Sequence, residues 1–203
     1  MKPVLTALCI SILALPVCAQ IALSPMQALQ APINHVIGIL TDPRFEDSAT
    51  AQDQQREIRK HVDKIFDFKG ISRLAVGRYW KRFTPQERAT FTALFSELLR
   101  RSYISKIQGE FRNEEVAYLE EIKRSVDRYV IKTEIIRATM KIPVDYSMRL
   151  KDGHWRVYDV KVEGVSLVKN YRSQFSKILM RGSPETLIKR IEKKVDRLKD
   201  AEE

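Results

Sequence analysis

From Tyr129 to Met148 the chain alternates: Tyr129, Ile131, Thr133 and Ile135 interleave with Lys132 and Glu134, then Met140, Ile142, Val144, Tyr146 and Met148 interleave with Lys141, Asp145 and Arg149. A period of two sends every second side chain to the same side, which commits the middle of the chain to strands with one apolar and one polar face. Asp152-Gly153 reads as a hairpin turn into a further strand from Trp155 to Val162, and a weaker strand is expected around Val116 to Ile122. The connections leave no room for crossover helices. The sheet is therefore an antiparallel meander of about four strands.

Helical periodicity stands on both sides of it. Upstream, Pro25 to Leu40 carries a mixed apolar stripe that stops near Asp42-Pro43, and Ile58, Val62, Ile65 and Phe66 share one helical face. A compact apolar segment with Phe68, Ile71, Leu74 and Trp80 follows, interrupted by Gly77. Thr84, Pro85 and Glu87 then spell a capping box with proline at the first helical position. The helix they open carries Phe91, Leu94, Phe95, Leu98 and Leu99 and runs through Tyr103 to Ile107; the period changes near Gly109. Downstream, Val168, Tyr171, Phe175, Ile178 and Leu179 share a face, and Ser183-Pro184 starts a last helix with Leu187, Ile191, Val195 and Leu198. The expected fold class is α+β, with helices packed on one face of a curved antiparallel sheet and enclosing an apolar cavity.

The amino terminus is expected to be a leader. Lys2, the short apolar stretch Val4 to Val17 and the small-residue pattern ending at Ala19 predict a signal peptide over residues 1–19, cleaved after Ala19. That stretch is shorter than the roughly 20 apolar residues of a membrane span and is broken by Pro16. Both cysteines, Cys9 and Cys18, would leave with it, so residues 20–203 are expected to fold as a single domain without disulfides. Such a length buries roughly 70% of the unfolded chain's surface, enough for an ordinary core. The net charge of +10 is compatible with nucleic acid or an anionic membrane, and export argues against nucleic acid.

Little in the chain points to catalysis. His35, His61 and His154 fall in three different elements without ligand-like spacing, and neither a phosphate loop, a G-x-S-x-G elbow nor an HExxH is present. Asp145 and Asp159, beside Tyr146 and Tyr158, could in an apolar cone form a ketosteroid-isomerase-like proton-abstraction site. Alternation places both carboxylates off the apolar face, so a binding protein is expected rather than an enzyme, and neither a cofactor nor a metal is called for.

Several segments resemble the MlaC or toluene-tolerance family: Phe66-Asp67-Phe68, Ala75 to Trp80, Thr84 to Arg88 followed by Phe91 and Phe95, Trp155 to Val160, and above all Glu163 to Phe175. The similarity runs from about residue 25 to about residue 191, and departs at Arg137-Ala138-Thr139, where family members often carry a glycine. The resemblance implies a periplasmic carrier that buries the acyl chains of a diacyl phospholipid between sheet and helices. Its implied partners are an inner-membrane transporter component with MCE domains and an outer-membrane lipoprotein complex. A hopanoid is the alternative cargo. The lining is expected from Ile142, Val144 and Tyr146 on one strand, Val160 and Val162 on the next, and Val165 at the junction of sheet and helix, with Leu74, Leu98 and Tyr103 from the helices. Lys169 and Arg172 beside the last motif are read as solvated or partner-facing, and no headgroup ligand is assigned.

Overall fold

The structure, a computed structural model, describes residues 23–201. The expected leader and its cleavage point lie outside the described residues. The element order is α1 (Pro25–Leu40), α2 (Ala51–Ile65), α3 (Phe68–Val76) with a 3₁₀ segment (Gly77–Arg82), α4 (Pro85–Glu110), β1 (Glu115–Ser125), β2 (Arg128–Ile136), β3 (Lys141–Lys151), β4 (His154–Val162), β5 (Val165–Ser166), α5 (Leu167–Arg181) and α6 (Pro184–Asp200).

Local chemistry explains most of these boundaries. The hydroxyl of Thr84 accepts from the Glu87 N–H at 3.2 Å and the Glu87 carboxylate accepts from the Thr84 N–H at 2.8 Å, which is the expected capping box on α4. Ser24 and Gln27 make the same reciprocal pair on α1. Arg137 and Met140 close the β2–β3 hairpin by paired backbone bonds of 2.9 and 3.4 Å, so this turn forms without a glycine. Glu163 at φ 50° and Gly164 at φ 80° make a tight reversal after β4. It adds a fifth, two-residue strand to the sheet expected from the alternation.

The sheet is an antiparallel meander in the order β1-β2-β3-β4-β5. Directly opposed residues share a face, and the register builds rows across the apolar side. Tyr129, Met148 and Val157 form one row, Ile131, Tyr146 and Val160 the next. Beyond them lies a row through all five strands, Tyr118, Thr133, Val144, Val162 and Val165, and then Val116, Ile135 and Ile142.

Two separate cores follow. The larger is helical: Phe91 and Phe95 of α4, Tyr171 and Phe175 of α5, and Ile71, Ala75, Leu187, Ile191 and Val195 interlock in one buried cluster. Its rings meet edge to face, Phe95 with Tyr171 at 4.9 Å and with Phe175 at 5.1 Å, an arrangement that adds to simple area burial. The smaller core joins Leu29 of α1 and Ile65 of α2 to Ile131, Met148 and Val157 of the sheet.

Asp67 joins the two. Phe66 bridges Val157 at the sheet edge, and the Asp67 N–H donates to the Val157 carbonyl at 2.8 Å. The Asp67 carboxylate caps α3 through the Gly70 N–H at 3.0 Å and accepts from Lys151 at 3.1 Å and from Arg149. Burial pushes this carboxyl upward, but Arg149, the Gly70 N–H and Lys151 outweigh it and hold it below the usual carboxylate range. Gly70 is required by closeness: a Cβ there would lie 2.3 Å from Arg149 Nη2 and 2.6 Å from Asp67 Oδ2.

Candidate functional site

Along the apolar face of the sheet, cover is lost from Met148 and Val157 toward Val162 and Val165, although Thr133 and Val144 between them stay closed at 1% and 3% exposed. Met148 and Val157 are 0% exposed, whereas Val162 is 44% and Val165 64% exposed. Tyr146, Val160, Ile142, Ile135 and Tyr118 lie between these extremes, each keeping part of its surface accessible. The cause is the cover. Met26, Ala28, Leu29 and Ile33 of α1 pack over the closed end, with the α1 amino terminus anchored where the Met26 N–H donates to Glu121 at 2.9 Å and Trp155 Nε1 donates to the Leu23 carbonyl at 3.2 Å. From Asn34, which meets the Tyr118 hydroxyl at 3.4 Å, the rest of α1 has no fully buried side chain.

The two tyrosines of this face sense the interior. Burial pushes the Tyr146 phenol up to about 12 although its side chain keeps accessible surface. Tyr118 is raised further by burial and by Tyr146 beside it. The accessible part of this face is formed by aliphatic and aromatic side chains, a surface that suits an apolar guest.

Of the nine residues expected to line a cavity, five gather here: Ile142, Val144, Tyr146, Val160 and Val162 share the apolar face. Val144 is 3% exposed and so nearly closed. Val165 belongs to the same row but sits at the outer lip on β5. The three helical candidates lie apart from it. Leu98 is 2% exposed inside the helical core and Leu74 packs against that core. Tyr103 is 39% exposed and lies beside Tyr171, whose phenol burial pushes up to about 12. The sequence reading passed over Tyr118 and Ile135. Ile135 was open to it, because it alternates in phase with Ile131 and Thr133; Tyr118 was hidden by a register shift between Tyr118 and Glu120.

Asp145 and Asp159 lie on the opposite face, as alternation required: Asp145 is opposite Lys132 and Lys161, and Asp159 opposite Ser147. Asp159 also has a structural task, accepting from the Ser166 hydroxyl at 2.6 Å and from the Val168 N–H at 3.0 Å to start α5. Arg172 donates to the Leu74 carbonyl at 2.8 Å, and Lys169 is exposed. His35 and His61, apart in sequence, stack with ring centroids 4.8 Å apart. Among the described residues no cluster of His, Cys, Asp and Glu could hold a metal ion, and no helix is long and apolar enough to cross a membrane. Two open hollows occur elsewhere: about 270 Å³ beside Asp63, Asp67, Lys151 and Arg156, and about 390 Å³ beside Glu110, Arg112, Glu114, Ile136 and Arg137.

A family model described as MlaC protein matches residues 30–193. The intermembrane phospholipid transport system binding protein MlaC of Haemophilus influenzae is 25% identical over 122 residues, 58% of this chain and 56% of that protein; the chain thus spans little more than half the length of this curated relative. The fold is shared with a phospholipid-binding protein from Ralstonia solanacearum solved in complex with a phospholipid, at a TM-score of 0.75 and 22% identity over 87% of this chain and 99% of that one.

Proposed function

Because this chain belongs to the MlaC family, we propose that it is a phospholipid carrier working between two membranes, with the acyl chains held against the open end of the apolar sheet face. The observation that carries this reading is the uneven cover of the face: Tyr146 and Tyr118 are raised by burial, while Val162 and Val165, in the row of Tyr118, remain exposed. Exposing such a surface without a guest is unfavourable, and a guest of acyl chains removes it from water.

Physical economy also favours the reading. Each buried methylene is worth about 0.8 kcal/mol, so two acyl chains cost on the order of 20 kcal/mol to place in water. A carrier need only match the bilayer interior for transfer to be nearly neutral, leaving partner contacts to decide direction. None of this requires a catalytic group, and the carboxylates once considered for one, Asp145 and Asp159, face the other side of the sheet. On this reading the leader directs residues 20–203 to the periplasm. There the protein exchanges phospholipid with an inner-membrane MCE-domain transporter component and an outer-membrane lipoprotein complex, in support of outer-membrane lipid asymmetry.

The test is native mass spectrometry of the protein purified from its own cells, followed by solvent extraction and lipid identification. Bound diacyl phospholipid is the expected result. A polycyclic triterpenoid would instead assign a hopanoid cargo, and an empty protein that turns over a small ketone would replace the carrier with the isomerase-like enzyme. The intact mass from the same experiment reads the cleavage point after Ala19.

A further inference from the structure

The positive charge of this chain is not spread evenly. Residues 68–86 contain Lys69, Arg73, Arg78, Lys81 and Arg82 and no acidic residue. Residues 164–184 contain Lys169, Arg172, Lys177 and Arg181, again with no acidic residue. Without these nine the chain would hold 27 basic against 26 acidic residues, so they amount to nearly the whole surplus.

The fold lays the two stretches side by side. Arg172 Nε donates to the Leu74 carbonyl at 2.8 Å, and Arg82 donates to the carbonyls of Leu179 at 2.6 Å and Gly182 at 2.8 Å. α5 therefore runs along α3 and its 3₁₀ extension in the same direction, both seated on the helical core through Ile71, Ala75, Val168 and Phe175. All nine cations are exposed, and among the described residues none pairs with a carboxylate. α6 is different: its cations alternate with Glu185, Glu192, Asp196 and Asp200, and two of them are paired, Lys189 with Glu185 at 2.7 Å and Lys199 with Asp196 at 3.2 Å.

From this we propose that the outer face of α3, its 3₁₀ extension and α5 docks the protein reversibly on an anionic phospholipid bilayer. Charge complementarity selects an anionic partner, since clustered Lys and Arg near such a surface each add favourable attraction. The apolar content selects a bilayer over a protein. Stable protein interfaces are organised around a buried apolar or aromatic centre and are depleted in lysine. On these stretches the exposed large apolar side chains are Val165 and Met180, at the two ends of α5 and not at its middle. Val165 is also the outer lip of the apolar sheet face, so docking brings that lip to the headgroups. The docking proposal goes beyond the carrier reading and holds for any cargo.

Vesicle flotation of the purified protein tests it, with vesicles of equal parts phosphatidylglycerol and phosphatidylcholine set against phosphatidylcholine alone. Partition onto the anionic vesicles at low salt, lost in molar salt, is expected. Replacing Lys69, Arg73, Lys177 and Arg181 together by Gln should weaken it roughly hundredfold or more, while the same change at Lys189, Arg190, Lys193 and Lys194 of α6 leaves it near wild type. The chosen side chains make no hydrogen bond that supports the core, and a second variant carrying Lys81→Gln and Lys169→Gln should shift partition in the same direction. Co-purified lipid is measured in every variant, so a failure of docking is separable from a failure of the carrier reading. Absence of wild-type partition at low salt would overturn the proposal, as would equal loss in the α6 variant. A variant that still floats but no longer associates with an acidic protein would assign the face to a protein instead.

Discussion

Phe95 in the middle of α4 and Tyr146 in the middle of β3 are both aromatic side chains aimed at apolar neighbours, yet their surroundings are finished differently. Phe95 is 0% exposed, and its ring meets those of Phe91, Tyr171 and Phe175 at 5.6, 4.9 and 5.1 Å. Tyr146 has Ile131 and Val160 beside it in its row but keeps part of its surface accessible. The helical core is closed on itself by four helices. The sheet face is covered by α1, a helix with no Asp, Glu, Lys or Arg, interrupted by Pro32 and with only Pro25 and Leu29 fully buried. The helical core is closed while the sheet face is only partly covered, which is how an apolar surface can stay accessible without unfolding the protein.

The comparison is broken most severely from the closed side. Phe95→Ala should destabilise by about 3–5 kcal/mol, the range for large-to-small changes in a tight core, as read from urea unfolding. Any lipid lost should follow the unfolded fraction. A small change in midpoint would mean that the helical core is not the closed half.

Next in size is the joint. Asp67→Asn weakens the charged bonds to Arg149 and Lys151, and should destabilise by about 2–3 kcal/mol; Gly70→Ala should act in the same direction through the crowding at Arg149 and Asp67. The pH dependence has a definite sign. The folded pKa of Asp67 is lowered, so its contribution is complete above the ordinary carboxylate range and disappears as pH falls through the lowered value. Asp67→Asn should flatten the acid limb of a stability–pH curve; an unchanged limb would remove Asp67 from that role.

A filling substitution sharpens the contrast from the open side. Ile142→Trp should change stability by less than about 1 kcal/mol, below the range of about 1–3 kcal/mol for overpacking a closed core, while lipid per mole of protein drops. A large loss of stability with lipid retained would make Ile142 ordinary core.

The smallest effect is expected at the α1–α2 contact. His61 is lowered by burial, then by His35 and Lys64, with Glu57 opposing and Lys60 adding to the lowering. The unfolded chain then binds this proton more readily, so stability should decline as pH falls below the ordinary histidine value. His61→Asn should remove that slope between neutral and mildly acidic pH, measured by thermal unfolding.

What the sequence disclosed was local. Capping boxes and a period of two are written in neighbouring residues, so the bounds of α1, the start of α4 and the faces of β2 and β3 could be read directly, whereas a bulge in β4 puts Val157 and Val160 on one face against strict alternation. Tyr118 could not, because the bulge after it turns Glu121 and Lys123 toward the apolar side and breaks the alternation. Leu98 misled for another reason: α4 carries apolar residues around much of its girth, and periodicity does not say which neighbour each one meets. The Asp67–Arg149 pair is 82 residues apart in the chain, and nothing near either residue announces the other. Val165 looked like a junction residue, but the left-handed pair Glu163 and Gly164 turns it into the outermost strand.

The most direct test of the difference between the two regions is paramagnetic relaxation in methyl NMR spectra of the protein loaded with a phospholipid that carries a nitroxide on its acyl chain. The account predicts that the methyl signals of Ile142, Val144 and Val160 broaden beyond detection, while those of Leu98, Leu187 and Val195 in the helical core remain sharp. Broadening of Leu98, Leu187 and Val195 with Ile142, Val144 and Val160 left sharp would contradict it and place the guest among the helices.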